Sequence, residues 1–212
     1  MNFDKENSYY RYKRFDILSL IPKYQSIERV LDVGCGSGNT GKFLKETFNV
    51  KEVVGIELNE SLSQESKNNL DKLIVGDVQT IHLPFEVEYF DCIILADVLE
   101  HLYNPWDVME RLKSFLKYDG IILASLPNVQ HWTILLELLR GEWDYKKTGI
   151  LDNTHIRFFT RKSIEKMFLS CGYDLLEIRN SMGSEMKILN KITFGFFSGF
   201  LTYRYFVLAK KH

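Results

Sequence analysis

Residues 29–41, RVLDVGCGSGNTG, constrain the fold of this chain more than any other stretch. Val30, Leu31 and Val33 form a short apolar, β-branched run that reads as a buried strand. The run breaks into Gly34, Gly36, Gly38 and Gly41, after which a helical pattern resumes. A strand that enters a helix through glycines makes a cradle of nucleotide size. Only a residue without a Cβ takes left-handed angles cheaply and lets a ligand lie against the main chain. Asp32 stands just before the first glycine, where a carboxylate repels a pyrophosphate and suits a cationic or hydroxyl-bearing group.

The same alternation continues down the chain. The apolar spacing over 40–48 predicts a helix, EVVGIEL at 52–58 a second strand ending near Glu57, and Asn59 or Ser61 a cap for the helix that follows. KLIVGD at 72–77 and FDCIILAD at 90–97 read as the third and fourth strands. A helix from about Pro105 to Leu116 then leads to a fifth strand at 120–127. Strands alternating with helices at these intervals imply a Rossmann-like, doubly wound, mostly parallel α/β sheet of seven strands, with helices on both faces and right-handed crossovers. Ligands in such sheets bind at the carboxyl ends of the strands. Asp32, Glu57, Asp77 and Asp97 all lie at or just past a strand end, so they are expected to converge on one rim.

On either side of this frame the pattern changes. Residues 8–24 place Tyr9, Tyr12, Phe15, Ile17, Leu18 and Ile21 at helical intervals up to Pro22, predicting an N-terminal cap helix. From 128 to 160 a helical stretch, VQHWTILLELLRG, gives way to an aromatic and charged run, which reads as a substrate lid at the active rim. Thr160 caps a helix ending at Gly172, and 173–180 and 201–211 are strands expected to form an antiparallel C-terminal edge. The intervening ITFGFFSGFL is apolar but far short of the ~20 residues a membrane span needs. All 212 residues are thus read as a single domain.

Charge and cysteine content narrow the function classes. A net charge of −1 supplies no global field for nucleic acid, so a polyanion partner is not expected. Cys35, Cys92 and Cys171 are odd in number, widely spaced and without a CxxC pair, which fits a reducing, cytoplasmic location. The polar N-terminus lacks the apolar core of a signal peptide.

Gly36, Gly38 and Gly41 also satisfy the GxGxxG of dinucleotide enzymes, but the acid precedes the glycines here. DxGxGxG through Asp32, Gly34, Gly36 and Gly38, then Glu57, the Gly76–Asp77 pair and FDCIILADVLEHL at 90–102 together resemble a class I S-adenosylmethionine-dependent methyltransferase. The resemblance is close over 29–126. It implies that Gly34, Gly36 and Gly38 lie against the methionine part of S-adenosylmethionine, with Asp32 near its ammonium. It also implies that Glu57 accepts from both ribose hydroxyls, that Asp77 takes the adenine amino group, and that Val78 lies beside the ring. Leu58 and Asp97 complete the implied cofactor set, and S-adenosylhomocysteine is the implied product. LPNVQHW and GILDNTHIRFFT resemble bacterial methyltransferases of cell-surface polysaccharide and small-metabolite pathways, implying a small-molecule or sugar-like acceptor and a monomer or homodimer.

Methyl transfer from a sulfonium is an in-line displacement that alignment can largely catalyse. A base is needed only where an acceptor hydroxyl or amine must lose a proton, and His101, His131 and His155 are the candidates. Asp97, Glu100 and His101 form DxxEH, similar to the ExxEH metal ligands of ubiquinone-pathway O-methyltransferases and of small-RNA 3′-terminal 2′-O-methyltransferases. In the latter a further histidine follows, which His155 would match. The aspartate in first place, and EHL endings in methyltransferases without metal, weigh against an ion, so no metal ligand is assigned. RNA or protein methylation and a non-catalytic cofactor-binding domain are the competing readings; a scaffold has no chemical need of intact Asp32, Glu57 and Asp77.

Overall fold

The computed structural model describes residues 15–23 and 25–212, so most of the helix expected over 8–24 lies outside the described residues. Its described part, α1 (Phe15–Leu18), stops before Pro22 rather than at it. Leu20 and Ile21 donate to carbonyls only three residues back, Ile17 and Leu18, so the chain tightens out of the α-helix ahead of the proline.

Seven strands form one sheet: β1 (Arg29–Val33), β2 (Glu52–Glu57), β3 (Lys72–Val75), β4 (Phe90–Ala96), β5 (Leu116–Pro127), β6 (Tyr173–Ser181) and β7 (Arg204–Lys211). Their order is β3-β2-β1-β4-β5-β7-β6. β1 to β5 pair in parallel, and β7 is antiparallel to both β5 and β6. The antiparallel edge expected from the sequence is therefore present, with β7 inserted between β5 and the outermost strand. The side chains of the central strands alternate between two cores. Leu31, Val33, Ile93, Leu95, Ile122 and Ala124 face one, and Val30, Cys92, Ile94, Ile121 and Leu123 face the other. Burial on both faces is why these strands are almost continuously apolar in sequence.

The connecting helices are α2 (Asn39–Phe48), α3 (Ser63–Asn69), α4 (Pro105–Phe115), α5 (Trp132–Leu139), α6 (Arg161–Ser170), α7 (Ser184–Ile192) and α8 (Ser198–Leu201). Asn104 caps α4, with Pro105 in the first turn, and Thr160 with Ser163 makes a reciprocal capping box on α6. Asn59 caps not the α-helix but the single 3₁₀ turn before it, accepting from the amide and hydroxyl of Ser61. α7 and α8, between β6 and β7, are additions to the sequence reading. Because β1 has β2 on one side and β4 on the other, the chain's winding reverses there, and a crevice opens at the carboxyl ends of these strands.

Candidate active site

The glycine turn sits directly on that crevice. Gly34, Gly36 and Gly38 all adopt left-handed angles, with φ of 68°, 56° and 76°. A Cβ at Gly34 would come within 2.9 Å of Val98, so this position disfavours any other residue on two counts. The turn is pinned from β2: the amides of Gly34 and Cys35 donate to the Ile56 carbonyl at 2.8 and 3.1 Å. It is also braced from α3, where Ser66 Oγ donates to the Gly36 carbonyl and Asn69 Nδ2 to that of Ser37. Ser66 and Asn69 carried no signal in the sequence, because every residue of α3 is polar.

Asp32 is buried at the foot of the turn. Burial first, and then its carboxylate, push the thiols of Cys35 and Cys92 up, which marks a local negative field at the glycines. Glu57, also buried, accepts from the Gly36 amide through Oε2 and from the Asn59 amide through Oε1, both at 2.8 Å. Each oxygen keeps a lone pair for a further donor. Leu58 beside it is exposed on the rim. Past β3, Asp77 accepts from the amide of Gln79 at 2.8 Å, and Val78 is buried next to it. Asp32, Glu57 and Asp77 thus follow one another along the carboxyl rim of β1, β2 and β3.

Asp97 ends β4 in a left-handed conformation, φ 56°, unusual for a residue with a side chain. Its Oδ1 accepts from Ser125 Oγ at 2.6 Å and its Oδ2 pairs with Arg204 Nη1 at 3.1 Å. That carboxylate is spent on joining β4, β5 and β7 at the rim. Arg204 carried no local sequence signal, because its partner is brought to it only by the insertion of β7 beside β5.

The three histidines divide. Glu100, His101 and His155 each present a ligand atom within 4.8 Å of the others. His131 stands apart at the start of α5, against Trp132 and Tyr203, with Nδ1 2.8 Å from Thr133 Oγ1. The 128–160 segment creates the cluster: the amides of Ile156 and Arg157 donate to the Glu100 carbonyl, both at 3.0 Å, and lay residues 152–159 across the turn after β4. His101 and His155 meet edge to face with ring centres 4.7 Å apart. His101 Nδ1 is 3.2 Å from the Thr154 carbonyl, which can only accept, so Nδ1 carries the proton and Nε2 is left with its lone pair. His155 Nδ1 likewise donates to a carbonyl, that of Ile150, at 2.9 Å, and its Nε2 lies 4.0 Å from Glu100 Oε1. Burial, and then the neighbouring His155, hold His101 below the ordinary imidazole range; burial alone does so for His131. The aromatic run of this segment is partly used in packing: Trp143 and Phe158 pack edge to face in a small core of its own, and Phe159 is buried in the main one.

Known proteins decide what this rim belongs to. The chain matches the methyltransferase domain family over residues 7–178. The chain is a class I S-adenosylmethionine-dependent methyltransferase. Among relatives of this methyltransferase, the ubiquinone biosynthesis O-methyltransferase of Hydrogenovibrio crunogenus is 26% identical over 171 residues, covering 76% of this chain and 68% of that protein. The ubiquinone/menaquinone biosynthesis C-methyltransferase UbiE of Yersinia enterocolitica is 34% identical over 180 residues, covering 74% and 70%. The fold is shared with the SAM-dependent methyltransferase of Archaeoglobus fulgidus, TM-score 0.65 at 17% identity over 97% of this chain and 94% of that one. The methyltransferase's own donor set suits the cofactor its family implies: an ammonium, two vicinal hydroxyls and an amino group match three successive carboxylates better than a phosphate does.

Proposed function

We propose that this methyltransferase methylates an oxygen or nitrogen of a small-molecule or sugar-like acceptor, with His101 as the base. The observation that carries the reading is the meeting of His101 with Glu100 and His155 on the rim that also holds the glycine turn and Glu57. When bound, S-adenosylmethionine supplies an activated methyl on a sulfonium. The chain's part is binding, alignment and proton removal. Gly34, Gly36 and Gly38 let the methionine portion lie against the backbone, over the field of Asp32. Glu57 accepts the ribose hydroxyls on its spare lone pairs, Asp77 the adenine amino group, and Val78 and Leu58 flank the ring. Asp97 keeps the end of β4 in place through Ser125 and Arg204. His101 Nε2 takes the acceptor proton while Thr154 fixes the ring.

The quinone-pathway names of the two relatives support a small acceptor over a polymer. Because one is a C-methyltransferase, the product must be analysed for the atom methylated. The test is a screen of acceptor mixtures with radiolabelled methyl donor, preceded by calorimetry: S-adenosylmethionine and S-adenosylhomocysteine bind and NAD does not. Tight NAD binding with none for the methyl donor overturns the reading.

The donor cluster supports a second reading for the same corner. A carboxylate and two imidazoles suit magnesium, manganese or zinc, and the approach of His155 Nε2 to Glu100 Oε1 is an arrangement a cation would satisfy. Glu100, His101 and His155 would hold the ion, which would polarise an acceptor oxygen. Dialysis against a chelator separates the two: unchanged turnover keeps His101 as the base, whereas loss restored by a divalent salt gives it to the ion.

A further inference from the structure

Two stretches leave apolar side chains on the outside of the active rim. α5 is apolar nearly all round, yet Ile134 is its one buried residue, and Leu139 is 82% exposed. α7 has no buried side chain among its residues. Ile188 and Ile192, one turn apart, are 63% and 67% exposed, while Met186 and Asn190 on the opposite side are half-buried against the body. Lys187 and Lys191 border the exposed pair. The loop that follows carries Phe194 and Phe196, 98% and 82% exposed. Phe194 is moreover held left-handed at φ 50°, a conformation disfavoured for an aromatic residue. The segments that flank the two stretches meet: Asn128 Nδ2, ahead of α5, donates to the carbonyls of Gly199 and Thr202, both at 2.7 Å, and Tyr203 stacks edge to face on His131 at the head of α5.

We infer that α7, the Phe194–Phe197 loop and the exposed face of α5 form a docking surface for an anionic lipid bilayer, which would bring the mouth of the active site to the membrane. Helices with apolar side chains on their outer face and lysines along the border lie in the headgroup plane, with phenylalanines entering the acyl boundary and lysines reaching back to lipid phosphates. The charge agrees: Lys187 and Lys191 outnumber Glu185 on α7, and Glu137, the one acid of α5, is paired with Lys146. A second copy of the chain fits less well, since a two-fold contact sets the same patch against itself and brings the lysine borders together. No helix among the described residues is long and apolar enough to cross a membrane, so the contact is superficial.

The test is flotation of the full chain with vesicles of phosphatidylcholine, with and without phosphatidylglycerol. Binding is expected with phosphatidylglycerol and is weakened about tenfold or more in the Phe194→Ser, Phe196→Ser double variant, since each ring loses its burial in lipid. Ile188→Ser with Ile192→Ser should act in the same direction, and Lys187→Ser with Lys191→Ser should remove the preference for phosphatidylglycerol. These side chains lie outside the core, so the melting temperature and affinity for S-adenosylmethionine should stay at wild-type values in all three. Absence of vesicle binding, or equal binding by both apolar variants, overturns the inference. So does a dimer in sedimentation that the phenylalanine variant splits while vesicles are ignored, which would assign the face to a second copy. The readout needs no methyl transfer, so its failure leaves the proposed reaction standing, and an inactive protein that binds vesicles leaves the surface standing.

Discussion

Two backbone amides, those of Gly36 and Asn59, already rest on the Glu57 carboxylate, so replacing this residue acts on the ligand and on the turn that receives it. Glu57→Ala is expected to weaken S-adenosylmethionine binding by about 1.5–3 kcal/mol, the usual cost of losing charge-assisted hydrogen bonds. It should also cost folding stability, because both amides lose their acceptor. Glu57→Gln retains an acceptor for one amide and should recover part of the stability without recovering ribose affinity. Calorimetry beside urea unfolding separates the two, and wild-type affinity in the alanine variant would remove Glu57 from the ribose site. At His101 the proton sits on Nδ1 and burial favours the neutral ring, so the base is ready at neutral pH. Turnover should fall on the acid side below about pH 6.5, the ordinary imidazole value, rather than at it. His101→Ala should lower turnover about 100-fold or more with cofactor affinity constant. If single replacements of His101, His131 and His155 all leave turnover intact, alignment alone accounts for the chemistry.

Among the elements, Asn128 joins the start of the 128–160 segment to the excursion between β6 and β7. It is fully buried, donates to Gly199 and Thr202, and accepts from the amide of Gln130. Asn128→Ala leaves these buried groups unpaired and should cost about 2–4 kcal/mol, read as a lower urea midpoint. Hydrogen exchange should rise first at 128–131 and 198–203; loss confined to other parts of the sheet would refute this linkage. The sheet was legible from the sequence because strands buried on both faces must be apolar throughout, and because glycines and strand-end acids mark the rim. The Glu100–His101–His155 grouping was legible in the DxxEH pattern and the later histidine, but Asp97, the first residue of that pattern, turned to Ser125 and Arg204 instead. α7 escaped notice since its isoleucines face solvent, inverting the amphipathic rule by which a surface helix is read.

At the scale of the whole molecule, acid should loosen this protein through its buried imidazoles. His101 and His131 both have their pKa lowered, chiefly by burial, so below about pH 6.5 the unfolded chain takes up protons that the folded chain resists. Proton uptake by the unfolded state means that stability rises with pH across this window. It is fully present above the unfolded histidine value and is lost as pH falls toward the lowered folded values. The sequence pI of about 6.5 puts the loss of net charge in the same range, where heated protein associates and heat scans mislead. Urea unfolding at low protein concentration is the better measure. The midpoint should be flat between about pH 7 and pH 8 and drop below about pH 6.5. His131→Phe removes one of the two imidazoles whose pKa is lowered without touching the Glu100–His101–His155 cluster, so its midpoint should fall less steeply with acid than that of the wild type. A midpoint that rises as the pH drops would mean that the folded state, not the unfolded one, gains the protons, and that the two rings are charged inside the fold.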